Sequence, residues 1–363
     1  RALARIYNSI ISRGNDIKNS QKFILQCLMA LFSEDIGLLP NSIFTEIIIE
    51  AEEKNNSYDL FSSLFTQMNL ENRAPESSRY RNVPYFNGGL FSELLPIELT
   101  IEELKLLREA SKEDWSKIEP VIFGEIYEAI MGDSEKSISS SHFTYEKDIQ
   151  KIIYPTIIKP WKLKIKKAKT LKELLSIRDK LLNIKILDPA CGSGNFLYVA
   201  FRELKKLERL LINSIQEKFK GKKGTAVGTM SLIKTSQFFG IDTNPFAIEL
   251  AKITLMIGKK LALDEINNFD MNLQLNLDIE IENSLPLDNL DQNFFCGDAL
   301  LDIQEWEKVD FIIGNPPFQA KNKMVKKFGR DYVDKLRGNF PEIPGRADYC
   351  VYWFRKSHDN LIQ

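Results

Sequence analysis

Histidine is nearly missing from this 363-residue sequence, occurring only at His142 and His358. It is the side chain that titrates near neutrality, so imidazole acid–base catalysis is disfavoured before any motif is read. Cysteine is almost as sparse. Cys27, Cys191, Cys296 and Cys350 lie far apart and form no Cys-x-x-Cys pair, which speaks against structural zinc and fits a reducing setting. No window holds 18 uninterrupted apolar residues, so no membrane-spanning helix is expected. A net charge of −1 gives no composition-level pointer to nucleic acid. There is no secretory leader, and the first residue is Arg1 rather than Met. The expectation is a cytoplasmic chain, cut or processed from a longer one. What remains is 44% hydrophobic and 27% charged, the balance of a globular protein, and the length suits one large or two ordinary domains.

The two halves read differently. "RALARIYNSIISR", "SQKFILQCLMALFSEDIGLL" and "ELTIEELKLLREASKEDWSKI" repeat apolar residues at helical spacing, and "PVIFGEIYEAIMG" does so up to a glycine suited to a helix end. The serine-rich "DSEKSISSS", Asp133 to Ser141, is taken as the boundary, giving an all-helical domain over 1–136 and a second domain over 137–363. In the second domain short apolar strands alternate with helices. "IKIL", "SQFFGI", "NFFCGD" and "DFIIG" are the strands, with helices from Phe196 to Phe219 and from Phe246 to about Leu263. That alternation predicts an α/β fold, a mostly parallel sheet with helices on both faces. Insertions are expected at about 220–235 and 264–292.

Four segments follow the four strands. In "ILDPACGSGNFL", Gly192 and Gly194 permit a sharp strand-to-helix turn and close approach of a ligand. The spacing is neither Gly-x-Gly-x-x-Gly nor a P-loop, and Asp188 would repel a pyrophosphate but suits a cationic amino group. Asp242 of "GIDTNPFAIELAK" could accept from two ribose hydroxyls, or simply cap a helix. Asp298 of "FFCGDAL" could accept from an exocyclic amine, or cap a turn. "IIGNPPF" comes last. All four lie beyond the carboxyl ends of successive strands, where open parallel sheets bind ligands.

These segments resemble the class I S-adenosylmethionine-dependent methyltransferases, and NPPF resembles the amino-methyltransferases of DNA. The resemblance implies that Asp188 faces the methionine amino end of the cofactor, lined by Ala190, Cys191, Gly192 and Gly194. It places Asp242 at the ribose, Thr243 beside the adenine, Asp298 at the adenine amine and the Ala299 amide at the ring. "SSSHFTYEKDIQKIIYPTIIKPW" resembles the segment that precedes the glycine loop in the adenine-methylating class, with Phe143 and Thr144 touching the methionine end. Thr144 also reads as a helix N-cap. Asn315, Pro316, Pro317 and Phe318 would form the catalytic loop. The Asn315 side-chain oxygen and the Pro316 carbonyl would accept the two protons of a target adenine amine, and Phe318 would stack on a base flipped from duplex DNA. No metal is required.

"LFSEDIGLLP", "YFNGGLF", "FGEIYEAIM" and "RADYCVYWFRKS" resemble the helical connector and post-NPPF segment of the MmeI-type (type IIL/IIG) restriction–modification enzymes. That implies a prokaryotic, cytoplasmic, adenine-specific DNA methyltransferase with double-stranded DNA as partner, together with contacts to nuclease and recognition domains of a parent chain. Glu52 to Lys54 is the best Glu-x-Lys candidate for a nuclease, but it reads as a solvated helix face. Only 45 residues follow Phe318. The expectation is therefore a truncated sheet, with one helix from Ala347 and the fourth strand left as an unpaired edge. "KNKMVKKFGR", beside NPPF, is placed to meet phosphates, while "KPWKLKIKKAKTLK" reads as a solvated surface. Two alternatives stay open: an amino-methyltransferase of ribosomal RNA guanine or protein glutamine, and a non-catalytic cofactor-binding module.

Overall fold

The computed structural model describes residues 2–40, 42–86, 89–117, 124, 144–219, 232–270 and 290–361. The chain divides into two compact units, one carrying the elements between Ala2 and Lys117 and the other those between Glu146 and Asn360. The expected boundary at Asp133–Ser141 and the expected helix over 120–132 lie outside the described residues, Gly124 apart.

The described part of the first unit is helical: α1 (Ala2–Ser12), α2 (Ile17–Asp35), α3 (Ile43–Lys54), α4 (Ser57–Met68) and α5 (Ile101–Ala110). The helix starts are written into the sequence. Asp16 accepts from Asn19 N at 2.9 Å, and Thr100 and Glu103 form a reciprocal capping box. Buried rings then hold the helices together, with Phe44 and Phe61 centroids 5.4 Å apart and Phe65 and Phe91 5.3 Å apart. The turn-rich stretch "YFNGGLF" thus supplies Phe86, Leu90 and Phe91 to this core. Glu52 accepts from Arg108 at 3.0 Å on the α3 surface, as a solvated helix face would.

The second unit opens with α6 (Glu146–Ile153), a π-helical turn (Tyr154–Ile158) and α7 (Lys159–Lys167). Pro155 and Pro160 each remove a backbone donor, and the ladder slips to the longer π spacing between the helices. Then follow α8 (Leu171–Asn183), β1 (Ile186–Asp188), α9 (Asn195–Phe219), β2 (Phe238–Asp242), α10 (Pro245–Asp270), β3 (Phe294–Cys296) and β4 (Phe311–Ile312). The strands form one parallel sheet in the order β3-β2-β1-β4. β1 and β2 are buried nearly throughout, which is why they read as continuous apolar runs. Phe238 packs edge-on against Phe201 of α9 with centroids 5.5 Å apart. Leu187, Phe239 and Ile241 join a cluster with Trp306, Leu336, Tyr352 and Trp353.

Three expectations change here. Three helices follow the fourth strand, not one: α11 (Lys321–Phe328), α12 (Arg330–Asn339) and α13 (Tyr349–Asn360). All three contribute to that cluster. The fourth-strand segment is also not a bare edge, because Leu361 forms a parallel bridge to Val309. α10 runs to Asp270 rather than ending near Leu263. No helix among the described residues is long and apolar enough to cross a membrane.

Candidate functional site

The strand order reverses between β1 and β4, and the expected site residues gather around the carboxyl ends of β1 to β4, where a doubly wound sheet opens a crevice. Asp188 ends β1 and is 1% exposed. Its Oδ1 accepts from Ala190 N at 3.1 Å. None of the described lysines or arginines pairs with it. Burial pushes its carboxyl up to about 8, partly offset by the Ala190 amide and reinforced by the nearby Asp242 charge.

The turn after Asp188 depends on its glycines. Gly194 has φ +82°, and a Cβ there would lie 2.8 Å from Ala251 Cα of α10, so glycine brings α9 against α10. Gly192 has φ +49°, and a Cβ there would meet nothing within 4 Å; open space lies beside this backbone. Cys191 is buried, donates its N–H to Ile241 O at 2.9 Å, and carries a thiol pushed well up by burial. It is packed rather than reactive.

Asp242 ends β2. Its Oδ2 accepts from Gly192 N at 3.0 Å and its Oδ1 from Asn244 N at 2.9 Å, so it ties the glycine loop to the second strand. Burial also raises this carboxyl, against the pull of the Asn244, Gly192 and Thr243 amides. Thr243 is exposed.

Asp298, after β3, is a turn cap. Oδ1 accepts from Leu300 N at 2.7 Å and Leu301 N at 3.1 Å, while Oδ2 accepts from the Tyr332 hydroxyl at 2.7 Å. With two lone pairs per oxygen, Oδ2 keeps room for one further donor. Ala299 is buried, and its carbonyl accepts from Trp306 Nε1 at 2.8 Å.

Asn315 to Phe318 follow β4 as a loop with exposed ends and half-buried prolines. Asn315 is exposed and Phe318 is 68% exposed, an unusual position for a large aromatic ring. Asn315 Nδ2 donates to Thr144 Oγ1 at 3.3 Å, which leaves Oδ1 unpartnered among the described residues. Thr144 does not cap α6: the N-cap is Tyr145, with no side-chain cap bond. Phe143 lies outside the described residues.

Sequence reasoning missed three contributors. Tyr332 and Tyr349 share a 2.7 Å hydroxyl contact behind Asp298, and only the folding back of α12 and α13 creates it. Asn195 is 6% exposed with its Oδ1 unpartnered among the described residues; its place at the end of "DPACGSGN" was the available signal. No cluster of three or more metal-ligating side chains occurs among the described residues.

Asp188 carries a pH prediction. Its ordinary value is 3.8 and burial raises it to about 8, so between those values the ligand-free fold holds a proton that the unfolded chain has lost. Its contribution to stability is full below about pH 4 and is lost as pH rises through about 8, with a slope of at most about 1.4 kcal/mol per unit. Urea unfolding of wild type and Asp188→Asn at about pH 5 and about pH 8 checks this. The variant should lose less stability over that interval, and an identical loss in both would refute the assignment.

Comparison with known proteins agrees with this geometry. Residues 164–363 match the family described as MmeI, DNA-methyltransferase domain, and residues 18–91 match MmeI, helicase spacer domain. DNA methyltransferase A of Bacillus subtilis (strain 168) is 29% identical over 97% of this chain and 40% of its own length. The adenine-specific methyltransferase PglX of Streptomyces coelicolor is 23% identical over 43% of this chain and 14% of its own. The solved structure of the type IIL restriction–modification enzyme MmeI in complex with DNA superposes with a TM-score of 0.79 at 26% identity, covering 99% of this chain and 48% of that one. The chain thus spans less than half the length of these relatives. With the family's spacer in its helical first half and the methyltransferase domain over 164–363, the chain belongs to the MmeI family of restriction–modification methyltransferases.

Proposed function

We propose that this domain methylates the exocyclic amine of an adenine flipped out of duplex DNA, with S-adenosylmethionine as donor. The observation that carries the reading is the loop after β4: an exposed Asn315 whose Oδ1 lacks a partner among the described residues, two prolines, and a 68% exposed Phe318, beside a strand that ends in buried Asp188. The relatives support it. MmeI was solved with DNA, and PglX is named adenine-specific.

The residues fit the cofactor. Asp188 is a buried carboxylate with no cation among the described residues, next to the open space at Gly192; an ammonium would supply the missing charge. Asp188 would hold the methionine amino end, with Ala190, Cys191, Gly192 and Gly194 lining it. Asp242 would hold the ribose, Thr243 would flank the adenine, Asp298 Oδ2 would take the adenine amine, and Ala299 would meet the ring. When bound, S-adenosylmethionine supplies an electrophilic methyl sulfonium. Asn315 Oδ1 and the Pro316 carbonyl each accept a hydrogen bond from one N–H of the target amine and bias its nitrogen toward a pyramidal geometry, with the lone pair free. Pro316 and Pro317 fix the backbone, so the acceptors need no rearrangement. Phe318 offers a stacking face to the flipped base.

The test is methylation of random duplex DNA by the full-length protein with labelled cofactor, followed by mass spectrometry of the nucleosides. N6-methyladenine is expected. A different methylated base, or methyl transfer to RNA or protein alone, would overturn the reading.

The Asp242 assignment has its own check. Asp242→Ala removes an acceptor and the anchor of the Gly192 amide, so cofactor affinity measured by calorimetry should fall by about 1–3 kcal/mol. Unchanged affinity would contradict the ribose role.

A further inference from the structure

We propose that Thr144 is a positioning residue, whose hydroxyl turns the Asn315 amide so that Oδ1 rather than Nδ2 meets the target amine. The inference rests on the reading of Asn315 given above.

An exposed asparagine has a broad χ2, and its amide presents either end to a ligand at little cost. Only one end suits this chemistry. Oδ1 accepts an amine proton, whereas Nδ2 would bring two donors against two donors. Something must therefore fix the sense of the amide, and the one bond to the Asn315 side chain among the described residues is Nδ2 to Thr144 Oγ1, 3.3 Å across 171 positions.

Thr144 is equipped for the task. Its hydroxyl is not spent on α6, whose N-cap is Tyr145. A β-branched side chain holds χ1 firmly. The helix that follows is pinned to α9: Glu146 pairs with Arg202, Gln150 Nε2 donates to Glu203 Oε1 at 3.2 Å, and Ile149 and Ile153 are fully buried. The amide of the catalytic loop is thereby referenced to the helix that begins at the glycine turn. By accepting from Nδ2, the Thr144 hydroxyl also keeps its own proton for a carboxylate at the methionine end of the site. An acceptor placed there engages the hydroxyl proton and so holds the oxygen in the accepting sense toward Nδ2.

The experiment uses the full-length protein with duplex DNA and S-adenosylmethionine. Single-turnover methyl transfer is measured at saturating DNA and cofactor, and cofactor affinity is measured separately by calorimetry. Thr144→Val keeps the shape and removes the hydroxyl. It should slow transfer by about tenfold or more even at saturating cofactor, and Thr144→Ser should restore most of the rate. In an Asn315→Ala background, Thr144→Val should have no further effect on transfer. Wild-type transfer by Thr144→Val, or a weakened cofactor affinity with an unchanged saturated rate, would overturn the proposal and leave Thr144 as at most a cofactor contact. Thr144→Ala gives the same readout should the valine variant not fold. If Asn315→Ala itself transfers at the wild-type rate, it is the role of Asn315 that fails, a result separate from either outcome above.

Discussion

Asn315→Ala in the full-length protein is expected to slow methyl transfer by about 10²–10³-fold, the usual cost of losing one preorganised polar partner of the reacting group. The adenine amine is a weak nucleophile because its lone pair is delocalised into the ring. Two acceptors on its protons pull the nitrogen towards a geometry in which that pair is available. Removing Asn315 leaves only the Pro316 carbonyl. Cofactor affinity should stay within about threefold, because the Asn315 side chain bonds to Thr144 and, among the described residues, to none of Asp188, Asp242 and Asp298. Single-turnover rates and calorimetry on the same preparation separate the two quantities. A variant that transfers within about threefold of wild type would end the proposed mechanism.

Gly314→Ala is expected to be the most damaging small substitution in the second unit. Gly314 has φ +145°, a conformation open to glycine almost alone, and a Cβ there would collide with Asp188 Oδ1. The backbone cannot retreat, since its neighbour Ile313 donates to Leu187 O at 2.9 Å and β4 is paired to β1. The forbidden backbone costs about 1–3 kcal/mol by itself. With the collision added, the loss should reach about 3 kcal/mol or more. For a unit of this size that lowers the unfolding midpoint by roughly 6–12 °C. Thermal and urea unfolding measure it, and a change below about 1 kcal/mol would mean that β4 can slide on β1. Displacing Asp188 should weaken cofactor binding in whatever fraction still folds.

The second unit's sheet was legible because its strands are short apolar runs, buried in β1 and β2, and each ends near a glycine or an aspartate. The long helices after Gly194 and Asn244 were legible from periodicity. The end of α10 was not, because "LDEINNFD" keeps helical propensity after the apolar stripe has faded. α11 and α12 were missed for a related reason: they are rich in lysine and arginine and bury only Met324, Val333 and Leu336. Among site residues, the aspartates were found by their position after strands. Their present partners were not, because Gly192 N on Asp242 and Tyr332 on Asp298 are tertiary facts. Thr144 was read as a cap from local pattern, but its partner lies 171 residues away.

The sheet order bears on how the chain is born. β1 sits between β2 and β4, yet Lys185 N reaches its partner, the Asp310 carboxylate, across 125 positions. At ribosomal speeds of about 5–20 residues per second, roughly 6–25 s separate the emergence of these two residues. For that interval one side of the central strand has no mate, and the hydrophobic face destined for Trp306, Tyr352 and Trp353 waits for residues that have yet to emerge. The nascent second unit is therefore expected to expose apolar surface until the later residues arrive, and a sheet closed by such distant pairing is expected to fold slowly.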